Sequence, residues 1–235
     1  MLSAVLFDLD GTLLDIELDS FLRDYFDLLG PAVAEVLGHE ANDPTGLRAV
    51  ISATELMSSP HTGQTNRDAF NAEFERITGT DLSSPAHEAV FNRFYAEIFP
   101  MLRNDMGPLP GANTAVATAL QLGLKVAIAT NPIFPMSAVR ERMRWAGLED
   151  LGIHTVTAYE TMHATKPHAA YYLQTAELLG VDPRECVMVG DDRVLDMSAA
   201  DIGMRTFYVG NAPTPTCDWT GTLTELTELL KRLCE

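Results

Sequence analysis

The sequence predicts an α/β protein with a doubly wound parallel sheet, into which an all-helical module is inserted. Three observations carry this prediction. A short apolar run at residues 4–7 ends in an acidic turn close to the N-terminus. Between about residues 16 and 101 the apolar residues follow helical spacing, and no strand pattern is present. From residue 112 onward, strand-like apolar runs alternate with helical segments, as in a parallel sheet with crossover helices.

The first strand is the sequence AVLF at residues 4–7, and it is followed by the sequence DLDGT at residues 8–12. Ligands of open α/β sheets bind outside the carboxyl ends of the strands, where Asp8 and Asp10 are placed. Two carboxylates at the rim of a hydrophobic sheet repel each other and are costly to desolvate. A bound cation or a shared proton would offset that cost, so this turn is a candidate site.

The inserted module is predicted to contain about four helices and no strand. Apolar residues recur at three- and four-residue steps, and segments rich in Gly, Pro and small polar residues interrupt them. The predicted interruptions are Gly30-Pro31 and residues 42–44, 58–63 and 79–85. Residues 104–111 contain two glycines and two prolines and are interpreted as a linker.

The remaining elements alternate between helix and strand. Helices are predicted at residues 112–122, 136–145, 167–179, 197–200 and 223–233, and strands at 124–130, 155–158, 186–190 and 205–209. Gly123 suits the position after a helix, and Pro167 suits the first position of one. Because the first strand joins this sheet, we predict a core formed by residues 1–14 and 108–235, with residues 15–107 inserted.

Charge limits the classes of partner. The 235 residues carry a formal net charge of −17, with a pI of about 4.6, and show no cluster of Lys and Arg. Nucleic acid and anionic membranes are therefore excluded as expected partners. An anionic substrate would need a local positive site, since the field of the whole protein repels it.

The sequence also predicts a cytoplasmic protein. It has three cysteines without CxxC spacing, no recognisable signal peptide and no run of 18 apolar residues. Its six histidines form no HxxxH pair, so a zinc site is not expected.

Three further polar clusters follow elements of the predicted sheet. They are Thr130-Asn131, Lys166, and Asp191-Asp192 with Asp196. A carboxylate attacks phosphorus only when its own charge and the phosphate's charge are neutralised. Lys166 and Mg²⁺, which prefers oxygen ligands, would supply that neutralisation. The Thr130 hydroxyl would donate to a phosphoryl oxygen, so the clusters together predict a phosphate-handling site.

These four pieces, in this order, resemble the four motifs of the haloacid dehalogenase superfamily, in its phosphoglycolate-phosphatase-like branch. The DLDGT sequence matches the first motif, Thr130 the second, Lys166-Pro167 the third, and GDDxxxD at residues 190–196 the fourth. The resemblance covers essentially the whole chain. It implies a Rossmann-like catalytic core at residues 1–14 and 108–235 and a helical cap at residues 15–107.

The resemblance also implies roles for individual residues. Asp8 would be the nucleophile that becomes an aspartyl phosphate, and Asp10 would protonate the leaving oxygen and then deprotonate a water. Mg²⁺ would be held by the Asp8 side chain, the Asp10 main-chain carbonyl and Asp191. Thr130, with its neighbour Asn131, and Lys166 would bind the phosphoryl group.

The fourth motif leaves one choice open, because either Asp192 or Asp196 fits the place of its second acid. We favour Asp196 as a supporting residue that orients Lys166, and we assign no role to Asp192.

The function that follows is that of a Mg²⁺-dependent phosphatase acting on a small phosphorylated metabolite. The expected cap limits substrate size. A sugar phosphomutase remains the main alternative, because it shares every motif. A receiver-like signalling domain is about half as long and has no acidic pair in its first strand, and a dehalogenase needs no acid at Asp10. Residues 60–64 (PHTGQ) are a candidate loop for contacting the leaving group.

Overall fold

A computed structural model describes residues 2–40, 43–61, 63–210 and 217–235. In these ranges the chain forms β1 (Ala4–Phe7), β2 (Leu14–Asp15), α1 (Leu18–Leu37), α2 (Thr45–Ser58), α3 (Asn66–Thr78), α4 (Pro85–Arg93), β3 (Gly107–Pro108), α5 (Ala112–Gln121), β4 (Lys125–Ile128), α6 (Met136–Trp145), β5 (Thr155–Val156), α7 (Ala169–Leu179), β6 (Cys186–Gly190), β7 (Arg205–Val209), β8 (Trp219–Gly221) and α8 (Leu223–Cys234). A π-helical turn spans Phe94–Ile98, and 3₁₀ turns span Phe99–Arg103, Pro183–Glu185 and Met197–Ile202.

The main sheet has six strands in the order β5-β4-β1-β6-β7-β8, and every pairing in it is parallel. β1 lies in the centre, hydrogen-bonded to β4 on one side and to β6 on the other. All four residues of β1 are fully buried, as its unbroken apolar sequence requires. The predicted doubly wound α/β fold with an inserted helical cap is confirmed. The carboxyl ends of β1, β4 and β6 consequently meet at one edge of the sheet.

The first helix of the cap differs from the prediction. We expected Gly30-Pro31 to interrupt it, but α1 continues through Pro31 to Leu37 and ends at Gly38, which adopts a left-handed conformation. An internal proline costs a helix about 3 kcal/mol. Leu29, Val33 and Val36 continue one buried face on both sides of Pro31, and their burial outweighs that cost.

The other predicted interruptions separate helices as expected. α2 begins after Pro44 and ends at Ser58, and Thr65 caps α3 through a capping box with Asp68. Ser84 caps α4, whose first residue is Pro85. Asn42 and Thr62, which belong to two of these predicted interruptions, lie outside the described residues.

A small antiparallel ladder was not predicted. Leu14 and Asp15 of β2 pair with Pro108 and Gly107 of β3, so the chain leaves and rejoins the sheet at neighbouring positions. The predicted boundaries between the core and the cap, at residues 14/15 and 107/108, fall within this ladder. The division into these two domains stays a prediction. β8, at the edge of the main sheet, was also not predicted.

Two helix predictions need correction in the second half. α7 begins at Ala169 rather than Pro167, because the His168 N–H donates to the Thr165 carbonyl and closes a turn there. The Lys166–Pro167 peptide bond in that turn is cis. The segment Met197–Ile202 is a 3₁₀ turn. Across the described ranges, no helix combines the length and apolar character needed to cross a membrane.

An aromatic cluster joins the cap to the sheet domain. The rings of Phe21 and Tyr25 on α1 pack against Trp145 and Phe134, with centroid distances of 6.4 Å and 5.2 Å respectively. Phe99 stacks on Trp145 at 5.6 Å. These contacts fix the start of the cap over the edge of the sheet where β1 and β4 end.

Candidate active site

A cavity of about 200 Å³ opens at the carboxyl ends of the central strands. Seven of its lining residues are the site residues predicted from the sequence, namely Asp8, Asp10, Thr130, Asn131, Lys166, Asp191 and Asp196. The topology brings them together, because Asp8 follows β1, Thr130 lies two residues after β4 and Asp191 follows β6. Apolar side chains from the cap, Ile16, Leu18 and Leu22, close the opposite wall.

Lys166 is the central cation of this cavity. Its Nζ donates to Asp8 Oδ1 at 2.7 Å and to Asp196 Oδ1 at 2.6 Å, and its side chain is 1% exposed. Burial lowers the pKa of Lys166, but the charges of Asp196 and Asp8 outweigh burial and hold this pKa well above its ordinary value. Lys166 therefore carries a positive charge next to Asp8.

The two acids of the fourth motif have different surroundings. Asp196 is buried, and its Oδ2 accepts from the Asp192 N–H at 3.0 Å while Oδ1 accepts from Lys166. A Cβ at Gly190 would lie 2.1 Å from Asp196 Oδ2, so the glycine makes this approach possible. Asp192 Oδ1 instead accepts from the N–H groups of Val194 and Leu195 and forms a local turn.

Asp191 packs against Gly11 and Thr12 of the DLDGT turn. Thr12 Oγ1 donates to Asp191 Oδ1 at 2.9 Å. Burial, and then the charge of Asp8, raises the pKa of Asp191 to about 6. Gly11 has a φ of +80°, and a Cβ there would lie 2.4 Å from Asp191 Oδ2. Glycine at position 11 thus permits both the left-handed backbone of the turn and the close approach of the Asp191 carboxylate.

The carboxylates fit a hard divalent cation. Asp8, Asp191 and Asp196 each offer one oxygen, and these three atoms lie within 4.8 Å of one another. Lys166 already engages Asp196 and one oxygen of Asp8. Asp191 and the other oxygen of Asp8 are therefore the side-chain ligands that fit. Burial, and then the charge of Asp8, raises the pKa of Asp191, and a bound cation would oppose both effects.

The second motif supports the site through its backbone as well as its side chains. The Thr130 carbonyl accepts from Thr157 Oγ1 at 2.7 Å and from Tyr171 Oη at 2.9 Å. Asn131 Oδ1 accepts from the Lys166 N–H at 3.1 Å. The turn after β4 is thereby tied directly to the residue that carries the central cation.

Arg142 belongs to the site although the sequence analysis did not select it. This α6 residue is 1% exposed, its Nη1 donates to Asp10 Oδ2, and its Cζ lies 4.6 Å from the centre of the Phe134 ring. Burial raises the pKa of Asp10, and Arg142 opposes that shift. Among the described residues, buried Asp10 Oδ1 and Arg142 Nη2 have no hydrogen-bond partner.

A sequence signal for Arg142 was available. Ala138, Val139, Arg142, Met143 and Trp145 are the buried residues of α6. An arginine at helical spacing among apolar residues indicates a buried charge, and such a charge needs an acidic partner. The sequence does not say which acid that partner is.

The predicted leaving-group loop does not line this cavity. Its described residues, at 60, 61, 63 and 64, are absent from the cavity wall. His61 Nδ1 lies 3.0 Å from the Ser59 carbonyl, and the Gln64 carbonyl lies 2.9 Å from His163 Nδ1. The loop thus packs close to the turn that carries Lys166, and its contact with a substrate stays a prediction.

Comparison with known proteins identifies the family of this chain. The family model of the haloacid dehalogenase-like hydrolases matches residues 2–201. Hexitol phosphatase B of Escherichia coli (strain K12) is 27% identical over 212 residues, covering 89% of this chain and 84% of that protein. Hexitol phosphatase A of the same organism is 30% identical over 214 residues, covering 90% and 84%.

A solved structure has the same fold. The crystal structure of a HAD phosphatase from Thermococcus onnurineus superposes with a TM-score of 0.61 at 24% identity, and covers 97% of this chain and 98% of that one. At this identity the likeness supports the fold.

Proposed function

The chain belongs to the haloacid dehalogenase-like hydrolase family, and we propose that it is a Mg²⁺-dependent phosphatase that hydrolyses a small phosphomonoester through an aspartyl-phosphate intermediate. The observation that carries this proposal is the position of Lys166 between Asp8 and Asp196. A buried cation beside a strand-end carboxylate draws an anionic phosphoryl group to a nucleophile that would otherwise repel it.

In the first step, an oxygen of Asp8 attacks the phosphorus, and the bond from phosphorus to the ester oxygen breaks. Lys166 neutralises charge on the phosphoryl oxygens, and the Thr130 hydroxyl donates a hydrogen bond to one of them. Asp10, in its protonated form, gives its proton to the leaving oxygen, which departs as an alcohol. Asp10 lines the same cavity as Asp8, and burial raises its pKa, which favours the proton-carrying form.

In the second step, a water attacks the phosphorus of the aspartyl phosphate. Asp10, now a carboxylate, takes a proton from this water, and the bond between phosphorus and the Asp8 oxygen breaks. Inorganic phosphate leaves, and Asp8 is again a free carboxylate. Arg142 suits this step, because its guanidinium stabilises the Asp10 carboxylate until it accepts the proton.

Asp8, the Asp10 main-chain carbonyl and Asp191 would hold Mg²⁺, and Asp196 would orient Lys166. When bound, the cation would neutralise charge on the phosphoryl group. The three carboxylate oxygens within 4.8 Å of one another support the assignment of a cation to this cluster.

The substrate is proposed to be a small phosphorylated metabolite in the cytoplasm. The similar hexitol phosphatases support this class, and hexitol phosphates are the first natural esters to assay. The acidic surface, with a net charge of −17, supports the expectation that neither nucleic acid nor anionic membrane is a partner.

Release of inorganic phosphate from p-nitrophenyl phosphate tests the proposal. We expect activity that EDTA abolishes and Mg²⁺ restores. Asp8→Asn keeps the shape of the side chain but removes the nucleophile, and should lower kcat/KM by at least about 10³-fold while the protein stays folded.

Asp24→Asn, an exposed acid on α1, is the matched control and should retain full activity. An Asp8→Asn protein with near-normal turnover would refute the mechanism. A wild-type protein that converts hexose 1-phosphate into the 6-phosphate with little free phosphate would instead be a mutase.

A further inference from the structure

A second cavity, of about 390 Å³, lies among the cap helices. Its volume is in the range of small-molecule sites, about 300–1,000 Å³. Helices α1 to α4 supply most of its wall, and eight of its lining side chains are aromatic, including Phe26, Phe70, Phe74 and Phe91. A stable helical bundle fills its interior with side chains, so an open space of this size with so many rings is a site that fits a ligand.

The two cavities adjoin. Leu22, Ile133 and Phe134 line both the cavity that contains Asp8 and the aromatic cavity. The Phe134 ring contacts both the Arg142 guanidinium and the Tyr25 ring, whose centroid lies 5.2 Å from its own. A group bonded to a phosphoryl at Asp8 therefore extends past Phe134 into the space between the aromatic rings.

Several polar groups in the wall of the aromatic cavity are engaged by the protein itself. The hydroxyls of Tyr25 and Tyr95 are hydrogen-bonded to each other at 2.9 Å. Thr54 Oγ1 donates to the Val50 carbonyl, and Glu160 accepts from the Met136 N–H. A polyol chain carries a hydroxyl at every carbon, and the eight rings of the wall would leave many of these hydroxyls without a partner, whereas an aromatic ring would contact rings.

The charge of the cavity wall also disfavours a charged leaving group. The charged residues of the wall are Arg67, Glu88 and Glu160, which sum to one negative charge. A second phosphate or a carboxylate on the far end of the substrate would meet net repulsion. A neutral group would not.

We infer that the aromatic cavity binds the leaving group of the substrate, and that this group is uncharged and aromatic rather than a polyol. The inference rests on the phosphatase function proposed above and specifies its substrate class. The phosphoryl end would be held at Asp8 and Lys166, and the ring would lie beyond Phe134.

Kinetics with three probes test the inference: 2-naphthyl phosphate, sorbitol 6-phosphate and acetyl phosphate, whose acetyl group is too small to reach past Phe134. We expect kcat/KM for naphthyl phosphate to exceed that for sorbitol 6-phosphate by at least about tenfold, the effect of a few favourable apolar contacts. Val50→Phe places a ring in the cavity from α2. It should remove most of this preference, with a much larger loss on naphthyl phosphate than on acetyl phosphate.

Ile51→Phe is the matched control, because Ile51 is the neighbouring β-branched residue of α2, is 44% exposed and does not line the cavity. It should behave as wild type. Equal kcat/KM for the naphthyl and sorbitol esters, or an equal loss on all three probes in Val50→Phe, would overturn the inference.

Calorimetric titration of wild-type protein with 2-naphthol needs neither turnover nor a folded variant. Binding supports the cavity assignment, and no binding overturns it. Hydrolysis of acetyl phosphate without naphthol binding would leave the phosphatase function standing and refute only the substrate class. Naphthol binding with no hydrolysis of any probe would refute the phosphatase function itself.

Discussion

The two cavities on either side of Phe134 are built in opposite ways. In the cavity at the sheet edge, charged groups bond to one another, as Lys166 does to Asp8 and Asp196, and short turns after buried strands hold them. In the cap cavity, aromatic rings from α1, α3, α4 and neighbouring turns surround the space, and the hydroxyls of Tyr25 and Tyr95 bond to each other. Under the function proposed above, the sheet would carry the reaction and the inserted helices would determine the choice of substrate.

The largest effect is expected from removing the cation of the sheet-edge cavity. Lys166→Met leaves Asp8 and Asp196 buried without their shared partner. Activity on every ester should fall by about 10³-fold, and the free energy of unfolding by about 3 kcal/mol. Chemical denaturation and phosphate release measure the two effects.

Lys231→Met, which breaks an exposed pair with Glu228, is the control and should cost less than about 1 kcal/mol. If Lys166→Met lost activity on aromatic esters only, it would be wrong to assign the reaction to the sheet-edge cavity and the choice of substrate to the cap cavity.

A smaller, selective effect is expected at Arg142, which contacts Asp10 on one side and Phe134 on the other. As a positioning residue for Asp10, it should matter most when the leaving oxygen needs a proton. Arg142→Met should therefore lower kcat/KM for phenyl phosphate about tenfold more than for p-nitrophenyl phosphate, whose leaving group needs little protonation. Arg142→Lys, which keeps the charge, should recover part of the loss.

Arg144→Met on the same helix is the control, since Arg144 is exposed and pairs with Glu141 and Glu149. Equal losses on the two esters would show that Arg142 is merely structural.

The smallest effect concerns pH and the Asp191 carboxyl. Its pKa of about 6 lies above the ordinary value of 3.8, so between these values the folded protein binds more protons than the unfolded chain. In EDTA, the stability contributed by this group is complete below about pH 4 and is lost as pH rises through 6. The melting temperature of Asp191→Asn, relative to wild type, should therefore rise by a few degrees from pH 4.5 to pH 7.

Added Mg²⁺ should then raise the melting temperature of wild type far more than that of the variant. A difference between the two proteins that is independent of pH would place Asp191 outside the acidic cluster.

The sheet-edge cavity could be predicted because its information is local in the sequence. A four-residue apolar strand followed by DLDGT specifies both the strand and the polar turn that ends it, and parallel pairing then brings Asp8, Thr130 and Asp191 to one edge. Such a prediction needs only short patterns and one topological rule.

Other features depend on long-range packing and were missed. Pro31 was interpreted as the end of a helix, since only the packing of Val33 and Val36 against the rest of the cap shows that the helix continues. The pairing of Arg142 with Asp10 joins residues 132 positions apart. The aromatic stripes of the cap predict a core, and nothing in their spacing distinguishes a filled core from one that encloses a cavity.

The β2–β3 ladder has a consequence for how this architecture tolerates change. Residues 14 and 15 pair with residues 108 and 107, and the Leu109 N–H donates to the Leu13 carbonyl at 3.0 Å. The chain therefore leaves the core and returns to it at two points that are paired in neighbouring strands. A shorter, longer or unrelated segment can be spliced between these two points without moving β1 or β4, because the ends it must join are already adjacent. The ladder is therefore the natural junction for recombining this catalytic sheet with a different covering segment.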